Sequence, residues 1–556
     1  MTRGVDIRRF GDTALIVDLG DVEEAHSLGR AVSALAWRGV EDVIVGYGTV
    51  TIISDPLSAD YDAQIDALER LAGLDSSAGA RGAGGAGGAG SEDPKSLEIP
   101  VDFAGPDLED VAVCAGTTEE NVVAMLVESE LQVAFVGFAP GFAYLRGLPE
   151  ALAATPRRST ARTSVPAGSV ALGGGFAGVY PHATPGGWHV VGRTDFALFD
   201  PARPPFAVLR PGDTVRFVED RSRVSSAVAP VTRPRDPLRS LGARTVVVEQ
   251  PGALSTVQDM GRIGVASIGV PRAGAADPYS LRIANKLVGN SESEAAIEVT
   301  LRGPRLRFDD KVHVAVIGDA EVLVDDITAP CDTVLPVEPG QTLDVRTVRS
   351  GVRAVIGVSG GIDLPPLFGS RSSDVLCHLG LGPLISGDRL PLGPATRPRG
   401  GLRHVAPQRH AGESVLRVLL GPDRLPHSVE KEFLQSTWEV SAQSDRVGMR
   451  LRCQSGPGAA PDPRRSSVLS RGMVTGAIQL PPDGGPIALL CDHATVGGFP
   501  VVASVASVDL GRLGQCRPGE SVHLEPIDLG EAASERLSLE RSLSQVARGW
   551  YPGAEV

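Results

Sequence analysis

The sequence predicts a multidomain, mainly β protein of mixed α+β class, opened by a small α/β unit. Three observations carry this. The 556 residues exceed what one hydrophobic core supports, because cores stop growing at about 250 to 300 residues. Two stretches of unusual composition divide the chain. Beyond Glu130 the apolar runs are short and broken by Gly and Pro, the pattern of strands and turns in a barrel or sandwich.

The N-terminal unit covers 1–75. In DVEEAHSLGRAVSALAWRG, residues Ala25, Leu28, Val32 and Leu35 recur at helical spacing, and Tyr61, Ile65, Leu68 and Leu71 repeat the pattern behind a Ser58 cap. DVIVGYGTVTIIS between them reads as a hairpin turning at Tyr47-Gly48. Residues 76–94 (SSAGARGAGGAGGAGSEDP) have almost no side chain to bury and read as a linker. The β-rich segment 95–227 opens with a helix carrying a capping box from Thr117 to Glu120. A Pro/Arg-rich connector, 228–244, leads to a second β-rich segment, 245–530, and a tail helix lies within 531–556, expected to pack outside or fray. Two helices interrupt the second segment. One has Asp277 as N-cap, Pro278 at its first position and Gly289 at its end; the other, 428–435, is capped by Ser428. AIQLPPDGGPIALL reads as a hairpin around Asp483-Gly484.

Composition narrows the function. Acidic residues number 67 against 53 basic, a formal charge of −14, which disfavours nucleic acid or an anionic membrane as partner. The basic side is almost all arginine, with lysine only at positions 95, 286, 311 and 431, and arginine suits local carboxylate or phosphate pockets. Six cysteines without a C-x-x-C pair suggest neither zinc nor a disulfide framework. Charges stand where a signal peptide needs its apolar run, and no run of about 18 apolar residues occurs, so a soluble cytoplasmic protein is expected.

Gly173, Gly175 and Gly178 match G-x-G-x-x-G, but VYPHATPGG follows, with two prolines where a dinucleotide fingerprint needs a helix. No glycine precedes any lysine, which excludes a P-loop, and there is no Met-Lys-Met biotin attachment site and no G-x-S-x-G elbow. What remains is a set of Gly/Pro-shaped loops bearing polar groups. FVGFAPGFAYLRGLP (135–149), ARTSVPAGSVALGGG (161–175, with Arg162, Ser169 and Gly174) and YPHATPGGWHVVGRT (180–194, with His182, Gly186, Gly187, His189 and Arg193) fall in the first β-rich segment. The second supplies Gln258, Asp259 and Arg262, then Asp445 and Arg446, then Asp492, His493 and Thr495. Left-handed glycines let backbone N–H groups converge on an anion, and an imidazole can serve as acid or base; the same residues also read as plain corners and packed imidazoles. Asp445-Arg446 reads best as an ion pair. No helical His-x-x-x-His or carboxylate set accompanies the histidines, so no metal is expected.

Taken together, GFAPGFAYLRGLP, TSVPAGSVAL and YPHATPGGWHVVGRT closely resemble the B subunit of bacterial ATP-dependent 5-oxoprolinase, the allophanate hydrolase subunit 1 or KipI family. VEQPGALSTVQDMGRIGVASIGVPRAGAADP, GVSGGID, GSRSSD, SDRVGMRL, GAIQLP and HATVGGFPVVASV resemble the C subunit, which is the allophanate hydrolase subunit 2 or KipA family. The chain thus looks like B and C fused through 228–244. The resemblance implies cyclophilin-like β-barrels in both halves, with two barrel-like lobes within 245–530, and kinship with the carboxyltransferase part of urea carboxylase. It also implies ATP-driven opening of 5-oxoproline with a separate A subunit that holds part or all of the nucleotide. Ser470-Arg471-Gly472 stands where the family has Ser-Glu-Gly, Leu381-Gly382 where it has Gly-Arg, and Val127-Glu128-Ser129 where a His is common.

For that chemistry, His182 and His189 are the expected acid/base residues. Arg162 or Arg193 would take a substrate carboxylate, and N–H groups near Gly173 to Gly175 and Gly186-Gly187 would take a developing anion. A carboxyltransferase-like enzyme acting on another small amide or urea is the first alternative. A KipI-type protein that binds and inhibits a sensor histidine kinase is the second.

Overall fold

The structure is a computed structural model that describes residues 5–75, 94–220, 244–398, 413–454, 468–482 and 484–546. Nearly all of the expected linker and connector falls outside those residues, as does Asp483. Among the described residues no helix is long and apolar enough to cross a membrane.

The N-terminal unit is a four-stranded antiparallel sheet of β1 (Asp6–Phe10), β2 (Ala14–Asp18), β3 (Val40–Val45) and β4 (Thr49–Ser54), ordered β1-β2-β4-β3. Helices α1 (Val22–Leu35) and α2 (Tyr61–Asp75) cover one face, where Leu15, Val17, Val50 and Ile52 meet Ala25, Leu28, Val32 and Leu68. Leu35 does not join them. It closes the last turn before Ala36 turns left-handed (φ 44°), and it is 48% exposed. The α2 cap is Asp60, whose Oδ1 accepts from Ala63 N at 3.1 Å, while Ser58 is engaged with Asp55.

The other face of this sheet buries Phe10, Ala14 and Ile16 against Met473, Val474, Ala477, Leu489 and Val501, which belong to the second half of the chain. Alternation along β2 supplies both faces at once. The buried Asp12 carboxylate fastens this contact by accepting from Ser507 N (3.0 and 3.1 Å) and Ser507 Oγ (2.6 Å). Tyr47 N donates to Ser470 O at 2.6 Å.

The first barrel is a seven-stranded sheet running from His189–Arg193 through Ser169–Gly173, Phe176–Val179, Ala143–Arg146, Leu131–Val136 and Thr214–Glu219 to Ser96–Val101. Its two edges meet where Asp102 and Arg193 exchange both backbone hydrogen bonds at 2.8 Å, which removes the free edges. Gly192 permits this closure, since a Cβ there would lie 2.8 Å from Asp102 O. The helix Glu119–Glu128 is capped by Thr118, one residue after the expected box, with Asn121 N donating to Oγ1 at 3.3 Å.

The second half holds one nine-stranded sheet, built on the long antiparallel pair Val312–Val324 and Thr342–Val358, and one closed seven-stranded barrel around Leu416, Val418, Trp438, Met449, Ile478 and Val505. Mainly β architecture with barrels in both halves is thus observed. Helix Pro278–Leu287 is capped by Asp277 as the sequence requires, with Ser280 N donating to Oδ1 at 3.0 Å. Helix His427–Gln435 starts one residue earlier than expected, behind Pro426, so Ser428 lies inside its first turn and caps nothing. The terminal helix Leu529–Val546 packs on the outside of helix Pro278–Leu287, the first of the two arrangements expected. Arg282 grips Glu540 with two bonds of 2.6 Å, and Leu543 is buried beside Leu281, Ala284 and Leu287.

Replacing the buried Asp12 with Ala should lower stability by about 2 kcal/mol, the range of hydrogen bonds to a charged group, measured by urea unfolding. Equal stability of the variant would show that the apolar contact alone joins the unit to the second half.

Candidate functional site at the seam between the halves

The glycine-rich loops of both halves interlock. A Cβ on Gly137 would lie 2.4 Å from Val496 Cγ2, and one on Gly269 would lie 2.4 Å from Ala139 O. Gly141 N donates to Ile268 O at 2.9 Å. Phe138 takes the left-handed conformation (φ 66°), a strain held in place by packing against Phe142 and Tyr180. FVGFAPGF, ASIGVP and HATVGG therefore meet at one seam.

His182 stands on the turn before strand Thr184–Gly186, its ring 6.4 Å from that of His378 across the seam and near perpendicular to it. His182 Nε2 is buried without a hydrogen-bond partner. Burial first, and the neighbouring His378 second, push its pKa down to about 4, so the ring is neutral at physiological pH. His378 is exposed, with a left-handed backbone (φ 55°), in a loop closed by paired backbone bonds between Asp374 and Leu379.

His189 is 8% exposed with Nδ1 unpartnered. It lies beside Asp107 and Asp110, the three offering ligand atoms within 4.8 Å of one another. Asp107 is already engaged: Arg158 Nη1 (2.8 Å), Arg162 Nη1 and Nη2 (2.8 and 2.7 Å) and Val190 N (2.7 Å) all donate to it. Burial works against the Asp107 charge, but the Arg162 and Val190 hydrogen bonds outweigh it and hold the carboxyl below its usual range. Two guanidinium groups neutralise this cluster, which leaves little for a divalent cation to gain. The geometry therefore ties Arg162 to Asp107 instead of leaving it open for a substrate carboxylate.

The expected glycine cradle is likewise taken up by the fold. Gly174 and Gly175 (φ 61° and 87°) form the turn between two strands, and Gly174 N donates to Thr155 O. Gly186 packs so closely on Tyr180 that a Cβ would lie 2.4 Å from its hydroxyl, and Gly187 O accepts from Arg158 N. Buried Ser169 receives Tyr180 N on its carbonyl, and Arg193 closes the barrel through its backbone.

In the second half, Gln258 Nε2 donates to Thr256 Oγ1 (3.0 Å) and Ser373 O (2.9 Å). Asp259 accepts from Ser370 Oγ and Arg371 N (both 2.6 Å) and from Gly261 N (2.8 Å). Arg262 donates to Ser372 O and keeps Nε and Nη1 buried without partners. Beside it the buried Asp374 is pushed up to about 7, by burial first and then by the Asp492 charge. Asp445 and Arg446 are not an ion pair. Asp445 is exposed and accepts from Val447 N and Gly448 N (2.8 and 3.1 Å), closing its own turn. Arg446 points inward to Asp492 (2.8 and 2.9 Å), Glu298 and Gly274 O. Burial opposes its charge, but those acids keep it protonated. His493 places Nδ1 2.8 Å from Ala494 O, and buried Thr495 leaves Oγ1 unpartnered. The reversed charge at Arg471 meets Asp423 at 2.9 Å, and Gly382 N donates to Ser373 Oγ at 3.2 Å.

Sequence reasoning missed Asp107, Arg158, Asp374 and His378. GSRSSD contained Asp374, but no spacing signal marks the other three.

The halves match the carboxyltransferase domain models, subdomains C and D over residues 5–209 and subdomains A and B over 268–526. The B subunit of 5-oxoprolinase from Escherichia coli O157:H7 is 40% identical over 39% of this chain and 96% of its own length. The C subunit of 5-oxoprolinase from Escherichia coli K12 is 34% identical over 53% of the chain and 96% of its own length. Urea amidolyase of Lachancea kluyveri is 33% identical over 54% of the chain but only 18% of its own length. The crystal structure of TTHA0988 covers 93% of this chain and 100% of its own, with 30% identity and a TM-score of 0.79.

The lowered pKa of His182 carries a pH signature. An unfolded imidazole titrates near 6.5, so the contribution from keeping it neutral is complete above about 6.5 and is lost as the pH falls towards about 4. His182→Gln should flatten the fall in unfolding free energy over that window. An unchanged slope in denaturation series across those pH values would mean that the ring titrates freely.

Proposed function

Because the chain belongs to the carboxyltransferase-domain family, with one half like the 5-oxoprolinase B subunit joined to one like the C subunit, we propose that it is the fused B and C component of an ATP-dependent amide hydrolase. With a separate A subunit, this enzyme opens 5-oxoproline to glutamate. The observation that carries this reading is the neutral, unpartnered His182 imidazole facing His378 at the seam of the two halves.

The site residues do not suit a triphosphate. Arg158 and Arg162 neutralise Asp107, Arg446 is buried between Asp492 and Glu298, and the Gly174 N–H is engaged. The reading therefore assigns the nucleotide to the A subunit. To this chain it assigns the proton. His182 Nε2 accepts a proton from the attacking water as the new C–O bond forms, and returns it to the lactam nitrogen as the C–N bond breaks, leaving the amine and carboxylate of glutamate. His378 keeps the opposite wall polar. Relatives that are urea amidolyases favour a second reading, in which the amide is urea.

Purified chain, with and without the protein resembling the A subunit, should release ADP in response to 5-oxoproline only in the mixture. No such release, or release driven by urea instead, would overturn the 5-oxoproline reading. In the active mixture His182→Ala should lower kcat by about 10²-fold or more. Full activity of that variant would remove His182 from the chemistry.

A further inference from the structure

One buried carboxylate of the N-terminal sheet holds a loop of the second half that runs to the seam. Asp42, on strand β3, is 8% exposed, and its Oδ1 accepts from Ala266 N at 2.9 Å. The Gly264 backbone also hydrogen-bonds to this carboxylate. The preceding residue, Glu41, pairs with Arg272. Both contacts fall on one loop, 262–272, whose base is closed by Arg262 N donating to Arg272 O at 2.7 Å. Inside it Ala266–Ile268 form a single 3-10 turn between left-handed Gly264 and Gly269 (φ 80° and 79°). So short a turn makes few hydrogen bonds of its own, and outside partners decide where it sits.

The loop reaches both histidines of the seam. Towards the first barrel, Ile268 O accepts from Gly141 N, and Gly269 lies so close to Ala139 O that a Cβ does not fit. Phe142, next in the chain, meets Tyr180 edge-on at 5.1 Å, two residues before His182. Towards the other wall, Val265, Ile268 and Val270 share an apolar cluster with Cys377 and Leu379, the residues that flank His378. Ala266 is buried, so without an acceptor at position 42 its N–H loses a bond that it regains only if the loop moves towards water.

We propose that Asp42 is a positioning residue, which holds the 262–272 loop and thereby sets the approach of His378 to His182 across the seam. Its catalytic consequence rests on the reading of His182 as the proton carrier. Asp12, the other buried carboxylate that docks this sheet, bonds to Ser507 and not to the loop, and so supplies the control.

Histidine NMR on the full chain, without ATP or any partner, tests the placement apart from the chemistry. The spectra run from roughly pH 8 to pH 6, the range in which Asp42, pushed up to about 6 by burial, keeps its charge. His182, identified by the signal lost in His182→Gln, should stay at its neutral position in the wild type. In Asp42→Ala it should move towards the imidazolium position, as an imidazole returned to water titrates near 6.5. Asp12→Ala should keep the wild-type signal. Circular dichroism identifies any variant that fails to fold, and Asp42→Asn, which keeps one acceptor oxygen, then carries the test with a smaller shift in the same direction. In the mixture with the protein resembling the A subunit, Asp42→Ala should lower kcat about tenfold or more and leave KM within about twofold. A His182 signal that stays neutral in a folded Asp42 variant, an equal shift in Asp12→Ala, or an unchanged kcat overturns the proposal. A mixture that is inactive with the wild-type chain overturns the 5-oxoproline reading instead, and the NMR outcome still decides the placement.

Discussion

The fold depends on a sheet that is apolar on both faces. A four-stranded sheet with helices on one side would ordinarily turn its other side to water. Here Phe10, Ala14 and Ile16 make that face a second core, and it closes only against a barrel more than four hundred residues further along the chain. The Asp12 carboxylate, holding the N–H and hydroxyl of Ser507, sets the register of that contact in a way that apolar surfaces alone do not.

The second constraint is how charge is handled indoors. Arg446, Asp492, Glu298 and Arg353 are all nearly inaccessible, and each removal from water is costly unless matched. The chain answers with alternating signs and with backbone acceptors such as Gly274 O and Gly514 O. The outer Asp107 knot follows the same logic with two arginines on one carboxylate. Arginine is the right cation for both, since its planar fork satisfies two acceptors at once. This gives a structural reason for a basic complement that is almost lysine-free.

Local grammar was legible in the sequence. Asp277 with Pro278 marked a helix start because cap and ring constraints act within a few residues, and the Tyr47-Gly48 hairpin was readable for the same reason. Ser58, Thr117 and Ser428 were misplaced by one or two residues because several side chains near each helix start can cap, and tertiary packing selects among them. Leu35 fitted the periodicity but lies where the helix has already ended. The terminal helix was expected to pack outside or fray, and it packs outside, held by Arg282 some 250 residues away in sequence, a contact no local pattern announces. The site was half legible. His182 stood out by its Gly/Pro setting, but Arg162 was drawn to Asp107, and His378 carries no motif, since contacts across a seam leave no trace in local spacing.

The glycines where the halves meet have a consequence for how such a protein diversifies. Gly137 and Gly269 bring main chain against main chain or side chain so closely that even a methyl group does not fit. At these two points no slack is left for a side chain, so a register slip in either loop cannot be absorbed there. The two halves are keyed to each other like the wards of a lock. Substitution is therefore tolerated less at these glycines than where side chains pack on side chains, as Phe199 and Phe206 do on Phe368.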